Sequence, residues 1–202
     1  MSRTLVIGSN DDFKSKITNH ILQYPTDTLE LYVGYLGDEF SEERIEEVLT
    51  ALVASQTAEL VVEINLYGRS DWKIISEKIW SLFSQINNLI GLSLGNHKLT
   101  EISPSIGRLV KLKQLWLDAN QLSKLPEELF QLEQLELLSL SDNRISSLSP
   151  SIGRLVKLKQ LSLKNNQLVS LPVILGQLPL EELWVSGELV VCFEHSVVVM
   201  LI

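Results

Sequence analysis

Four leucines recur at one unvarying interval: Leu89, Leu112, Leu135 and Leu158 follow one another every 23 residues. The thirteen residues from Ser103 to Leu115, SPSIGRLVKLKQL, return letter for letter from Ser149 to Leu161, two intervals later. Self-similarity at this period constrains the fold more than any composition does. Each stretch is one structural unit, too small to enclose a core of its own, and units must stack and share their interior.

Within each interval the apolar residues keep fixed places. The second unit has Leu112, Leu115, Leu117, Leu122, Leu125, Leu129 and Leu132, and in all four units these seven places hold only leucine or isoleucine. Leu115 and Leu117 alternate with Trp116, the two-residue period of a strand with one buried face. Two places after the alternating stretch comes a polar residue inside the pattern: His97, Asn120, Asn143 and Asn166. A fifth unit starts at Leu180, with Leu183 and Val185, but Glu188 takes the asparagine place. Over residues 89–185 the chain resembles the leucine-rich repeat family in its 23-residue form, L-x-x-L-x-L-x-x-N-x-L followed by an LPxxIGxL-like phase. The resemblance implies an α/β solenoid with a parallel concave β-sheet and a protein-binding, non-enzymatic role.

The asparagines have a physical task. Where the chain turns out of the strand, backbone N–H and C=O groups lose their partners, and a buried amide can both donate and accept. Asn120, Asn143 and Asn166 are expected to form a structural ladder. His97 departs from the pattern and is expected either to bond less well or to mark the first regular turn.

Residues 1–88 differ. They hold 10 of the 39 leucines and carry 14 acids against 7 bases, whereas residues 89–202 are nearly neutral. Helical periodicity and caps predict helices at Phe13–Gln23 behind Asp11/Asp12, at Glu42–Gln56 behind Ser41, and at Trp72–Asn87 behind Asp71. Strand-like segments lie at Thr4–Ile7, Leu29–Val33 and Glu59–Leu66. The order βαβαβα calls for parallel strands. Steps of 26, 33 and 30 residues through Leu5, Leu31, Ile64 and Leu94 approach the longer, helix-containing repeats. Residues 1–88 are therefore read as degenerate repeats or as an α/β cap, 89–188 as the repeats, and 189–202 as an apolar tail. The tail, LVVCFEHSVVVML and Ile202, fits two short strands about Glu194–Ser196 that close the core. It also fits a homodimer interface, or a natural chain that continues beyond Ile202.

The remaining signals are mostly exclusions. The net charge is −8 and the pI about 4.9, which disfavours nucleic acid. There is no P-loop, GxGxxG, HExxH or CxxC, and the three histidines are far apart in sequence. Cys192 lies in an apolar run and is expected to be inert. The acidic run from Asp38 to Glu47 lacks a calcium-loop pattern and reads as a solvated helix face. No catalytic, cofactor or metal residues are expected, and neither a signal peptide nor a membrane span. A cytoplasmic protein is the expectation.

What is left is surface. The outward column between the strand leucines runs Ser93, Trp116, Ser139, Ser162, Trp184. Gly91, Gln114, Leu137, Gln160 and Glu182 stand on one side of it, and Gly95, Asp118, Ser141, Lys164 and Ser186 on the other. An outward Trp beside an apolar neighbour within a polar rim has the composition of a binding hot spot. The expected partner-binding residues are Trp116, Leu137, Gln114, Asp118, Ser139, Gln160, Ser162, Lys164 and Trp184. The leading expectation is a protein-interaction module using this face. The alternatives are a regulatory or structural piece of a larger GTPase- or kinase-linked protein, or a small-ligand-binding N-terminal region.

Overall fold

Two-residue alternation decides the strands. In the computed structural model, which describes residues 1–7, 12–24, 27–33, 41–55, 61–66, 74–186 and the backbone of 198–201, each alternating segment is a strand with its leucines inward. The strands are β1 (Ser2–Ile7), β2 (Thr28–Val33), β3 (Val61–Asn65), β4 (Leu89–Ser93), β5 (Gln114–Trp116), β6 (Leu137–Ser139), β7 (Gln160–Ser162), β8 (Glu182–Val185) and β9 (Val198–Leu201). They form one sheet in chain order, and every neighbouring pair is parallel. Parallel neighbours require the chain to cross back outside the sheet between strands.

The crossovers come in two sizes. After β1, β2 and β3 the sheet is covered by α1 (Phe13–Gln23), α2 (Glu42–Ser55) and α3 (Glu77–Gln85). After β4 to β7 it is covered by five-residue 3₁₀ turns at Pro104–Arg108, Glu127–Gln131, Pro150–Arg154 and Val173–Gln177. The helices and the first turn pack side by side in chain order, so they make one layer. The core lies between this layer and the sheet. All 28 repeat leucines and isoleucines belong to it, with only Leu125, Leu168 and Leu171 partly exposed. In the N-terminal units Phe13, Ile17 and Ile21 of α1, Ile45, Val48, Leu49 and Leu52 of α2, and Ile79, Trp80 and Phe83 of α3 complete it.

The caps follow elementary chemistry with one revision. Asp12 accepts from Ser15 N–H and starts α1, and Ser41 Oγ accepts from Arg44 N–H at the start of α2. The third helix starts behind Ser76, whose hydroxyl accepts from Ile79 N–H, and not behind Asp71. Asp71 and Trp72 lie outside the described residues. The helix also stops at Gln85, because the chain must turn through Asn87 and Asn88 to deliver Leu89 into β4. A second revision concerns register. Ile64 pairs with Leu92 rather than Leu94, and the ladder slips between Val62 and Glu63, which brings Glu63 opposite Gly91. Of the tail, only β9 is described. It adds to β8 in parallel, while the first of the two expected strands lies outside the described residues.

The polar ladder runs through backbone groups. Asn120 Oδ1 accepts from His97 and Leu99 N–H, and its Nδ2 donates to the carbonyls of Leu94, Leu117 and Asp118. Asn143 and Asn166 repeat the donor side of the scheme one and two units on, with Oδ1 accepting from Leu122 N–H and from Ile145 N–H respectively. His97 does not bond poorly. Its ring Nε2 meets the carbonyl of Leu66, one strand back, as Asn120 meets that of Leu94.

Just before each ladder residue the backbone turns left-handed, at Asn96 (φ 64°), Ala119 (φ 54°), Asp142 (φ 56°) and Asn165 (φ 53°). Asparagine and aspartate tolerate this conformation, whereas the β-carbon of alanine resists it. Ala119→Gly should therefore raise stability by about 0.5–1 kcal/mol, the relief of strain exceeding the added flexibility of the unfolded chain. Thermal melting of the two proteins checks this. A lowered midpoint would contradict it.

Candidate binding face

Because β4 to β8 pair in unbroken register, outward residues line up in columns across this part of the sheet. Ser93, Trp116, Ser139, Ser162 and Trp184 are successive partners, as are Gly91, Gln114, Leu137, Gln160 and Glu182. Seven of the nine residues singled out from the sequence, Trp116, Leu137, Ser139, Gln160, Ser162, Lys164 and Trp184, line one depression of about 410 Å³. Trp116 and Trp184 stand three strands apart in one column with two serines between them, so the small residues form the floor and the rings the ends. Gln114 shares the column of Leu137 but does not line the depression. Asp118 lies beyond Trp116, on the border of a second hollow.

Several of these polar groups are already engaged. The Asp118 carboxylate accepts from Ser139 Oγ and from Ser141 N–H at 3.1 Å, so it ties neighbouring coils together. Ser141 and Ser162 share a hydroxyl contact at 2.6 Å, and Gln160 Nε2 donates to Glu182 Oε2 at 3.0 Å. Lys164 is half-buried and has no carboxylate within ion-pair distance among the described residues.

The face continues across the N-terminal strands. The second hollow, about 270 Å³, is lined by Glu30, Tyr32, Glu63, Asn65, Trp116 and Asp118 among others. The outward facing of the β2 residues has a signature in the sequence. Thr28, Glu30 and Tyr32 alternate with Leu29, Leu31 and Val33, so their outward facing was readable. Glu30 and Glu63 are direct register partners. Glu30 accepts from Ser2 Oγ and from Thr4 Oγ1 at 3.1 Å. Burial, and then the neighbouring Glu30 charge, push the Glu63 carboxyl above the usual range. The Glu63 side chain lies over Gly91, where a β-carbon would come within 2.9 Å of Glu63 Cγ. Glycine here makes room for the carboxylate arm.

Among the described residues, no three His, Cys, Asp or Glu side chains gather as a metal site. No described helix is long and apolar enough to cross a membrane. Cys192 and His195 lie outside the described residues.

Comparison with known proteins agrees with this geometry. A family model described as a leucine-rich repeat region matches residues 77–197. Among solved structures, a leucine-rich repeat protein of Leptospira interrogans is 32% identical with a TM-score of 0.60, over 83% of this chain and 38% of that one. An internalin from Listeria monocytogenes is 21% identical with a TM-score of 0.56, over 93% of this chain and 48% of its own. TLR13, in its complex with ssRNA13, is 19% identical with a TM-score of 0.61, over 92% of this chain and 26% of its own. The last two share the fold. The chain thus spans less than half the length of each of these structures. No curated protein matches it in sequence.

Proposed function

We propose that this chain, which belongs to the leucine-rich repeat family, is a non-enzymatic protein-interaction module that receives its partner on the concave face centred on Trp116. One observation carries the reading. A half-buried Trp116 shares a depression with Leu137 and Trp184 on a sheet face that no described helix covers. Large rings fixed on rigid strands bury much area at little entropic cost, which is how hot spots earn their weight. A net charge of −8 argues against an RNA partner such as the one in the TLR13 complex. Residues 1–88 are read as longer repeats of the same array, since their strands continue the same sheet. The cytoplasmic reading rests on the single cysteine of the sequence, which needs no oxidising compartment.

The test is capture of partners from the source cell by the wild-type chain and by the Trp116→Ala, Leu137→Ala double variant. Both side chains are only half-buried, so the variant should keep its circular dichroism and melting behaviour. The expected outcome is loss of at least one specific partner, with its affinity lowered about tenfold or more. Retention of every partner at unchanged affinity would end the concave-face reading.

A further inference from the structure

Glu63, Trp116 and Lys164 lie on one diagonal of the concave face. Glu63 is on β3, Trp116 on β5 and Lys164 two residues past the end of β7. Each step crosses two strands and advances two residues along them. With strands about 4.8 Å apart and about 3.3 Å per residue, each step is about 12 Å and the diagonal about 24 Å. At its first end, Glu30 and Glu63 face each other in register. Like charges directly opposite in a sheet are destabilising, and neither carboxylate has a cation within ion-pair distance among the described residues. At its far end stands Lys164, also without a counter-charge among the described residues. Asp118 is held by Ser139 and Ser141, Glu182 by Gln160, and Glu30 by the hydroxyls of Ser2 and Thr4, so Glu63 is the acid on this face whose charge meets its like in register without a hydrogen bond given to it among the described residues.

We infer that the occupant of this face is an extended segment of a partner protein lying along that diagonal. It carries a cationic side chain over Glu30 and Glu63, an apolar side chain against Trp116 and Leu137, and a carboxylate at Lys164. At about 3.3 Å per residue the two charges stand about seven residues apart. The inference rests on the concave-face reading and adds the chemistry of the partner to it. A cation arriving between the two glutamates removes their repulsion, so charge complementarity selects the occupant as well as attracting it. Burial first, and the Glu30 charge second, raise the Glu63 carboxyl above its usual range.

The test uses the full chain and four synthetic peptide libraries with randomised interiors. Two fixed positions seven residues apart carry Lys and Glu, Lys and Gln, Gln and Glu, or Gln and Gln. The Lys/Glu library should be retained about tenfold better than Gln/Gln, with the singly charged libraries between them. Glu63→Gln should erase the advantage of Lys, and Lys164→Gln that of Glu, each leaving the other intact. Equal retention of all four libraries, no retention of any, or advantages that survive these substitutions would overturn the inference. Trp116→Ala separates the two levels. If uncharged peptides bind equally well and Trp116→Ala releases them, the polarity falls and the face stands. If Trp116→Ala changes nothing, the face falls too.

Discussion

Replacing Asn143 with alanine should lower the stability of the chain by about 3 kcal/mol, more than its small size would imply. The side chain is buried and makes four bonds. Its Oδ1 accepts from Leu122 N–H at 3.0 Å, and its Nδ2 faces the carbonyls of Leu117, Leu140 and Ser141 at 2.9, 3.0 and 3.1 Å. Alanine leaves those backbone groups in a dry interior without partners, at about 1–3 kcal/mol for each that water cannot reach. Asn143→Asp keeps the acceptor but turns a carboxylate towards three carbonyls, and should be at least as damaging. Asn166 makes the same bonds in a half-exposed turn, so Asn166→Ala should cost about half as much, because water can replace the lost amide. Urea denaturation followed by tryptophan fluorescence decides it. Equal midpoints for wild type and Asn143→Ala would show that the turns do not need the amide.

The ladder also shows what the sequence could and could not reveal. The solenoid was legible because seven apolar places per unit recur with an error-free period, and a period is independent of the details of packing. The outward columns were legible for the same reason, down to the pairing of Trp116 with Ser139 and of Gln114 with Leu137. The N-terminal units kept the alternation but lost the constant spacing, so the same reasoning placed their strands and missed their outward carboxylates. The helix α3 starts behind Ser76 and ends at Gln85, short of Asn87, because the chain must turn to deliver Leu89 into β4, a tertiary demand that local propensity does not carry. The left-handed turn at Ala119 had no signature at all. Asn96 and Asn165 announce such a turn, whereas alanine announces a helix. The engagement of Asp118 was equally hidden. In sequence it is an exposed rim charge, and only the register brings Ser139 and Ser141 within its reach.

His97→Ala should cost about 2–3 kcal/mol and, more tellingly, should loosen one end of the chain from the other. The imidazole replaces the amide at the joint between the long N-terminal units and the short repeats, where its Nε2 donates to the carbonyl of Leu66. In a stacked array each unit is held mainly by its neighbours, so a defect at one joint divides the unfolding rather than scaling it down. Backbone amides of β1 to β3 should lose hydrogen-exchange protection in the variant, while those of β5 to β7 keep theirs. Uniform loss along the chain would refute a joint at this position. The same residue makes stability depend on pH. Burial holds the ring below the usual histidine value, with the Leu66 bond opposing. The unfolded chain therefore takes up a proton as pH falls through about 6.5, before the folded chain does. Stability is complete above that pH and declines below it, by at most about 1.4 kcal/mol per pH unit for one proton. His20, also lowered by burial and then by Arg3, contributes in the same direction. The His97→Asn variant isolates the joint. Its stability should lose part of this slope between pH 7 and 5 while the contributions of His20 and of the carboxylates remain. An unchanged slope would mean that the His97 ring takes up its proton over the same pH range in the folded chain as in the unfolded one.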